Sequence, residues 1–280
     1  MKGIVDELAQ VLSVEEGRGR IVRALLQSPE IARRAKPLQF VLVKVRPGND
    51  PFLRRPFCLS LVDPSSGLIR ITWDVVGQGT AIMANWIAGQ EVLVLGPLGN
   101  GLDLAALALS KAGAARRRMF IIAGGTGLAP MYPLAVAAKT SGYDVTLFYG
   151  AKSAEFLFDS SEFLKIGCAV TVATDDGSEG AQGFVTDIAA PALRSVKIGD
   201  VAVTCGPVPM MRETKRFCVE AGVDLYIVLE QRMACGTGLC RGCAVKAATK
   251  TGEPESYLHA CLEGPVFRAD QVDLEPGGEA

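Results

Sequence analysis

Cys235, Cys240 and Cys243 lie within nine residues, and Cys261 follows after a further seventeen. The pattern C-x4-C-x2-C…C is the spacing with which four thiolates hold a [2Fe-2S] cluster. Three sulfurs from one short loop converge on a cluster only if the backbone curls around it. Gly236, Gly238 and Gly242 permit such a curl, because glycine takes positive φ and lets N–H groups approach the sulfurs. A zinc knot or disulfides are the rival readings. Structural zinc usually takes two short Cys-x2–4-Cys arms, whereas here one three-cysteine arm faces a lone distant cysteine. The rest of the chain is therefore read as machinery that delivers or collects single electrons.

At 280 residues the chain can hold two domains with full cores and a small appendage. A formal net charge of −1 gives it no field to attract nucleic acid or an anionic membrane. The opening MKGIVDELAQVL carries acids within its apolar pattern, unlike a signal peptide, and no apolar run approaches the ~18 residues of a membrane span. Cys58, Cys168, Cys205 and Cys218 sit in apolar surroundings, as reduced thiols of a cytoplasmic protein do.

Ile4, Val5, Leu8, Val11 and Leu12 share one helical face, so the N-terminus reads as a short helix or a capping extension. Strand-like runs follow at 20–26, 39–46, 56–62, 68–75 and 91–95, separated by RPGNDP and DPSSG turns and by one short helix over 80–87. Closely spaced strands of this kind predict an antiparallel β-barrel. Arg55 precedes an apolar strand, Pro56-Phe57-Cys58-Leu59-Ser60, where its guanidinium could pair with a phosphate. Gly77-Gln-Gly79-Thr80 opens the short helix, with N–H groups suited to the same anion. Each also has an ordinary reading, as a solvated strand-end charge and a plain helix cap.

Gly96-Pro97-Leu98-Gly99-Asn100-Gly101 ends the barrel, and an Ala/Leu-rich stretch over 104–115 leads to Arg116–Arg118, read as a solvated edge. From Met119 the pattern alternates strands (119–123, 145–149, 168–174, 201–205) with helices. One helix, over 209–221, turns Met210, Thr214, Phe217, Cys218 and Ala221 to one face and stops at Gly222. Alternation of this kind predicts a doubly wound parallel sheet, which binds ligands beyond the C-terminal ends of its strands. The candidate turns are Gly124-Gly125-Thr126-Gly127, Tyr149-Gly150-Ala151, Thr174-Asp175-Asp176-Gly177 and Cys205-Gly206-Pro207. Asp175 and Asp176 suit a ribose 2′-hydroxyl and repel a 2′-phosphate, which favours NAD over NADP; a solvated acidic turn is the alternative.

RRPFCLS (54–60), VGQGT (76–80), GPLGNG (96–101), GGTGLAP (124–130), TDDGS (174–178), CGP (205–207) and MACGTGLCRGC (233–243) resemble, in order and spacing, the ferredoxin-NADP reductase superfamily. More narrowly, they resemble the electron transfer subunits of class 1B dihydroorotate dehydrogenases, over almost the whole chain. The resemblance implies a flavin-binding β-barrel (1–103), a nicotinamide-nucleotide-binding α/β domain (104–225) and a small C-terminal cluster domain (226–280). It assigns FAD contacts to Arg55, Pro56, Phe57, Cys58, Thr72, Trp73, Asp74, Gly79 and Thr80. It assigns NAD contacts to Gly124–Gly127 and Cys205–Pro207, and cluster ligation to Cys235, Cys240, Cys243 and Cys261. Cys58 departs from the Ser or Thr usual near the flavin's reactive edge, and a thiol is the weaker donor. The only histidine, His259, is read as a loop residue and not a ligand. The implied partner is an FMN-containing dihydroorotate dehydrogenase subunit, two of each in a heterotetramer. Its electrons would pass through the [2Fe-2S] cluster and FAD to NAD+ in pyrimidine biosynthesis. A reductase subunit of a sulfhydrogenase, a sulfite reductase or a bifurcating ferredoxin-NADP oxidoreductase is the alternative, and a zinc-binding interaction module a more distant one.

Overall fold

The computed structural model describes residues 3–110, 117–197, 199–249 and 254–274. The first part is a closed six-stranded barrel: β1 (Val5–Glu16), β2 (Ile21–Gln27), β3 (Phe40–Val43), β4 (Arg55–Asp63), β5 (Leu68–Asp74) and β6 (Glu91–Leu98), in the order β1-β2-β5-β4-β3-β6. The N-terminal helix expected from Ile4–Leu12 is instead strand β1. Ala9 and Val11 point into the barrel and are fully buried, while Leu8 and Leu12 face outward. Apolar residues on both faces imitated helical spacing. Pairing to β2 on one side and β6 on the other makes this segment the strand that closes the barrel and removes its open edges.

Helix α1 (Pro29–Arg34) was not foreseen, although Ser28-Pro29-Glu30 is a helix-start signal. Its cap comes from β1: the Glu7 carboxylate accepts from Ser28 Oγ (2.6 Å) and from the amides of Glu30 and Ile31 (both 3.0 Å). Helix α2 (Gln78–Ala84) starts and ends a little earlier than expected. Trp86 beyond it drops into the barrel core and donates from Nε1 to Val45 O at 2.9 Å.

The second part is the parallel sheet: α3 (Leu104–Ser110), β7 (Arg118–Gly124), α4 (Met131–Thr140), β8 (Asp144–Ala151), α5 (Ser160–Lys165), β9 (Ala169–Thr174), β10 (Ala181–Gln182), α6 (Val185–Arg194), β11 (Val201–Cys205), α7 (Val208–Ala221) and β12 (Asp224–Val228). Gly222 ends α7 in the left-handed conformation, φ 68°. The buried face of α7 carries Met211, Thr214, Phe217 and Cys218; Met210 turns instead toward the strand ends. Arg118, expected as a solvated edge, is tied to the buried Asp200 carboxylate at 2.5 Å. Arg117 stacks on the Tyr143 ring, and Arg116 lies outside the described residues.

The C-terminal part adds β13 (Ala244–Lys246) and β14 (Tyr257–His259), paired antiparallel, and β15 (Val266–Arg268). Strand β15 pairs antiparallel with β12 and completes a seven-stranded sheet in the order β10-β9-β8-β7-β11-β12-β15. The division expected at 225/226 thus falls within β12. His259, expected in a loop, ends β14 and is buried, its backbone amide donating to Glu263 at 2.6 Å.

The barrel and the sheet meet across an ion-pair cluster. Arg70 on β5 forms a bidentate pair with Glu162 on α5 (2.8 and 2.6 Å), and its Nε donates to Ser60 Oγ. Arg23 on β2 reaches Asp159 at 2.5 Å. Burial works against ionisation of Glu162, but the Arg70 guanidinium outweighs it and holds the carboxyl below its ordinary value. A carboxylate depressed by folding contributes stability above its unfolded pKa and loses it as pH falls through the folded one. Glu162→Gln should therefore cost ~2 kcal/mol at pH 7, discounted from a fully buried pair because Glu162 keeps some exposure. The thermal-unfolding gap between variant and wild type should shrink as the pH is lowered beneath about 4.5. A gap unchanged across that range would show that the pair does not join the domains energetically.

Candidate functional site

The cluster loop is held by its own backbone. Gly236 and Gly238 take positive φ (66° and 84°), and Arg241 does so at 57°. The curl aims N–H groups at sulfur: Thr237 and Cys240 donate to Cys235 Sγ at 3.4 and 3.3 Å, and Gly238 donates to Cys261 Sγ at 3.2 Å. Cys243 and Cys261 Sγ lie 3.2 Å apart, and the Cys235 and Cys240 thiols interact with each other. Among the described residues no three ligands gather on one metal ion. A two-iron cluster instead takes its four sulfurs as two pairs, which is how these thiols lie. Burial opposes thiolate formation at Cys235, but the Cys240 and Thr237 donors bring its pKa down to about 6. Burial and the neighbouring Cys243 push Cys261 up to about 12. The donor set fits the cluster expected from the spacing, and N–H groups directed at sulfur would stabilise its negative charge.

The same loop sits on the barrel. A side chain at Gly236 would come within 2.6 Å of Leu42 Cδ1 and 3.1 Å of Leu98 Cδ1, so the loop backbone lies directly on strands β3 and β6. On its other side, Leu239, Cys240 and Arg241 are exposed, Leu239 at 83%.

In the barrel, Arg55 packs over Gly79, where an added Cβ would lie 2.8 Å from its Nε. Arg55 also donates to Leu53 O. Pro56, Phe57 and Cys58 run on along β4, antiparallel to β3. The Thr80 hydroxyl is engaged in its own helix cap, accepting from Val76 and Gly77 amides. Thr72 is buried and shares a hydrogen bond with Ser60 at 2.9 Å. The Trp73 ring lies in the barrel core beside Phe57 and Trp86, so only its backbone is available to a ligand. Burial drives the Cys58 and Cys205 thiols well above their ordinary values, and the Glu230 carboxylate acts on both in the same direction. At neutral pH both are therefore thiols, able to donate a hydrogen bond.

Beyond the strand ends of the sheet lies a cavity of about 810 Å3, bounded by both domains. Of the residues assigned to the nucleotide, Gly124–Thr126, Asp175 and Pro207 line it, and Gly127, Asp176, Cys205 and Gly206 do not. Three of the turn glycines have a packing reason: a Cβ at Gly124 would strike Pro207 and Met210, at Gly127 the Cys205 carbonyl (2.4 Å), and at Gly206 the Gly124 amide. Gly125 (φ 53°) differs, having nothing within 4 Å of its Cβ direction; the open side of the turn faces the cavity. Asp176 is drawn into its own turn by Ser178, which holds its carboxyl low, so Asp175 alone of the pair reaches the wall. Asp74 lines this cavity too. Sequence reasoning missed Arg20, Lys152, Phe184 and Met210 on the same wall. Phe184, 65% exposed at the start of α6, was findable as an apolar residue just after TDDGSEG.

Comparison with known proteins follows these parts. Residues 230–273 match the iron-sulfur cluster binding domain of dihydroorotate dehydrogenase B, and residues 121–216 match an oxidoreductase NAD-binding domain. Curated relatives named dihydroorotate dehydrogenase B (NAD(+)), electron transfer subunit, include that of Enterococcus faecalis, 34% identical over 96% of this chain and 98% of its own length. The Fusobacterium nucleatum relative is 38% identical over 85% of this chain and 87% of its own. Among solved structures, an NADH-dependent reduced ferredoxin-NADP oxidoreductase aligns with TM-score 0.80 at 29% identity, covering 96% of this chain and 90% of that one. The ferredoxin reductase of carbazole 1,9a-dioxygenase shares the fold alone, with TM-score 0.64 at 22% identity over 79% of this chain and 67% of that one. At this identity and coverage, the chain belongs to the family of electron transfer subunits of dihydroorotate dehydrogenase B (NAD(+)).

Proposed function

We propose that this chain accepts electrons released when a partner subunit oxidises dihydroorotate to orotate at an FMN of its own, and delivers them to NAD+. The observation that carries this reading is the seat of the cluster loop: one side rests on the barrel at Leu42 and Leu98, and the other presents Leu239 and Cys240 to the outside. A [2Fe-2S] cluster on Cys235, Cys240, Cys243 and Cys261 and an FAD held through Arg55–Cys58, Thr72–Asp74, Gly79 and Thr80 supply the conversion between single electrons and a hydride.

The chain's own residues contribute placement. Thr237, Gly238 and Cys240 direct amides at the sulfurs, Arg55 offers a charge for a phosphate, and Cys58 and Cys205 stay protonated as donors. Gly124–Gly127 and Cys205–Pro207 form the turns that receive the nicotinamide nucleotide, with Asp175 placed for its ribose. No general base is required of this chain, and dihydroorotate chemistry belongs to the partner. A cytoplasmic heterotetramer with two copies of each subunit fits this arrangement; among the described residues no helix is long and apolar enough to cross a membrane. The ferredoxin-NADP oxidoreductase reading is weaker, because the curated relatives are 34% and 38% identical and the C-terminal segment matches the dihydroorotate dehydrogenase B domain itself.

Purified anaerobically, the protein should hold about one FAD and two irons per chain. Cys240→Ser should remove iron and leave most flavin bound; iron retained in Cys240→Ser and also in Cys235→Ser would refute the ligand set.

Nucleotide preference follows from Asp175. NADH should exceed NADPH in kcat/KM by at least tenfold, and Asp175→Asn should narrow that ratio. Equal kcat/KM values in the wild type would leave Asp175 as a solvated turn residue.

Alone, the chain should oxidise NADH with artificial acceptors and show no turnover of dihydroorotate. With its partner it should reduce NAD+ from dihydroorotate, and Cys243→Ser should abolish that coupling while sparing NADH–dye activity. Dihydroorotate turnover by the isolated chain would overturn the assignment.

A further inference from the structure

The nucleotide cavity has a wall that the nucleotide-binding domain does not build. The turn between β1 and β2 reaches out of the barrel and is fastened to two loops of the neighbouring domain. Arg18 donates to Glu179 (2.7 Å) and to Ala154 O (3.3 Å). Gly19, at φ 60°, lies so close that an added Cβ would stand 3.0 Å from Glu155 O. These loops follow β8 and β9, the strands that also lead to Lys152 and Asp175 on the cavity wall. Arg20, next in the chain, faces the cavity and donates from Nη2 to Asp74 Oδ2 at 3.1 Å. Its backbone is fixed as well, since Arg20 O accepts from the Val75 amide at 3.0 Å.

Asp74, assigned above to the flavin and also on the wall of this cavity, adds an independent sign of a missing ligand. Its Oδ1 is buried and has no hydrogen-bond partner. A buried acceptor without a donor costs free energy, so a donor belongs there. A ribose hydroxyl can supply one, whereas a phosphate oxygen cannot. The glycine turn at 124–126 offers amides but no charge, and a diphosphate entering a partly enclosed cavity needs a cation.

We propose that Arg20 is the cation that receives the diphosphate of the nicotinamide nucleotide, and that Asp74 positions it while accepting a hydrogen bond from the adjoining sugar. The proposal rests on the cavity being the nicotinamide-nucleotide site. It makes the flavin barrel a direct partner in nucleotide binding, so the nucleotide would bridge the two domains between which the hydride moves. Lys152 stands on the same wall but comes from the nucleotide domain and would not produce that bridge.

The test uses the FAD- and iron-loaded protein, with ADP and adenosine as probes and NADH as reference, by calorimetry. Arg20→Met should weaken ADP and NADH about ten- to hundredfold, the loss expected of a hydrogen bond to a charged group, and leave adenosine within about twofold. Arg20→Lys should recover part of the loss. Asp74→Asn should weaken ADP less than Arg20→Met does. The dependence of ADP affinity on salt should be shallower in Arg20→Met than in the wild type. Wild-type ADP affinity in Arg20→Met would overturn the proposal, as would an equal loss for adenosine. Loss of FAD from Arg20→Met would place the residue in the flavin site and also overturn it. Failure of the wild type to bind either ADP or NADH would instead remove the nucleotide reading of the cavity on which the proposal depends.

Discussion

The three parts of the chain are joined through one apolar cluster whose members come from each of them. Phe40, Leu42 and Leu98 come from the barrel, Phe120, Ala202 and Leu225 from the sheet, and Cys243, Cys261 and Phe267 from the C-terminal part. Two of the cysteines proposed as cluster ligands are thus packed as core residues, and moving them would expose apolar surface from three places at once. A close approach between the barrel and the C-terminal part is at Gly99, φ 73°, where a Cβ would stand 2.5 Å from Pro265 Cδ. Asn100 beside it donates to Leu262 O and Glu263 O, tying the end of β6 to the segment that follows Cys261. Rigid placement matters for a relay, because its rate depends on distances that only packing can hold.

The ion-pair cluster at Arg70 does related work between barrel and sheet. Ser60 connects Arg70 to Thr72, two residues along the same face of β5, and Asp74 lies two further on at the cavity wall. One strand face therefore carries, in sequence, the domain clamp at Arg70, Thr72 proposed for the flavin, and Asp74 proposed for the flavin and lining the cavity. A shift at the clamp would be felt along that row.

Much of this was legible in the sequence, for physical reasons that differ by element. The cluster loop was readable because ligand spacing and glycine placement are local. The strand–turn–helix at GGTGLAP was readable because periodicity changes sharply at Met119. The N-terminal strand was misread because a barrel strand with apolar residues on both faces has no clean period of two. Arg118 looked solvated because nothing local announces Asp200, 82 residues away. Arg20 and Asp74 illustrate the same limit: their meeting across a barrel, on the wall of a cavity built largely by another domain, has no signature along the chain. The separate reasons for the turn glycines also needed structure, since packing explains Gly124, Gly127 and Gly206 and leaves Gly125 open.

Strand β15 is short, yet it lies at the margin of the nucleotide sheet, antiparallel to strands that are otherwise parallel. An uncovered strand margin is a template for pairing with other chains. Here β12 is shielded by three residues that follow all four cysteines proposed as cluster ligands in the chain. A nascent or truncated chain lacking Val266–Arg268 would present the unpaired backbone of β12 to its neighbours. Strand β15 thus covers that margin, and protection against self-association depends on the segment flanking Cys261 having folded home.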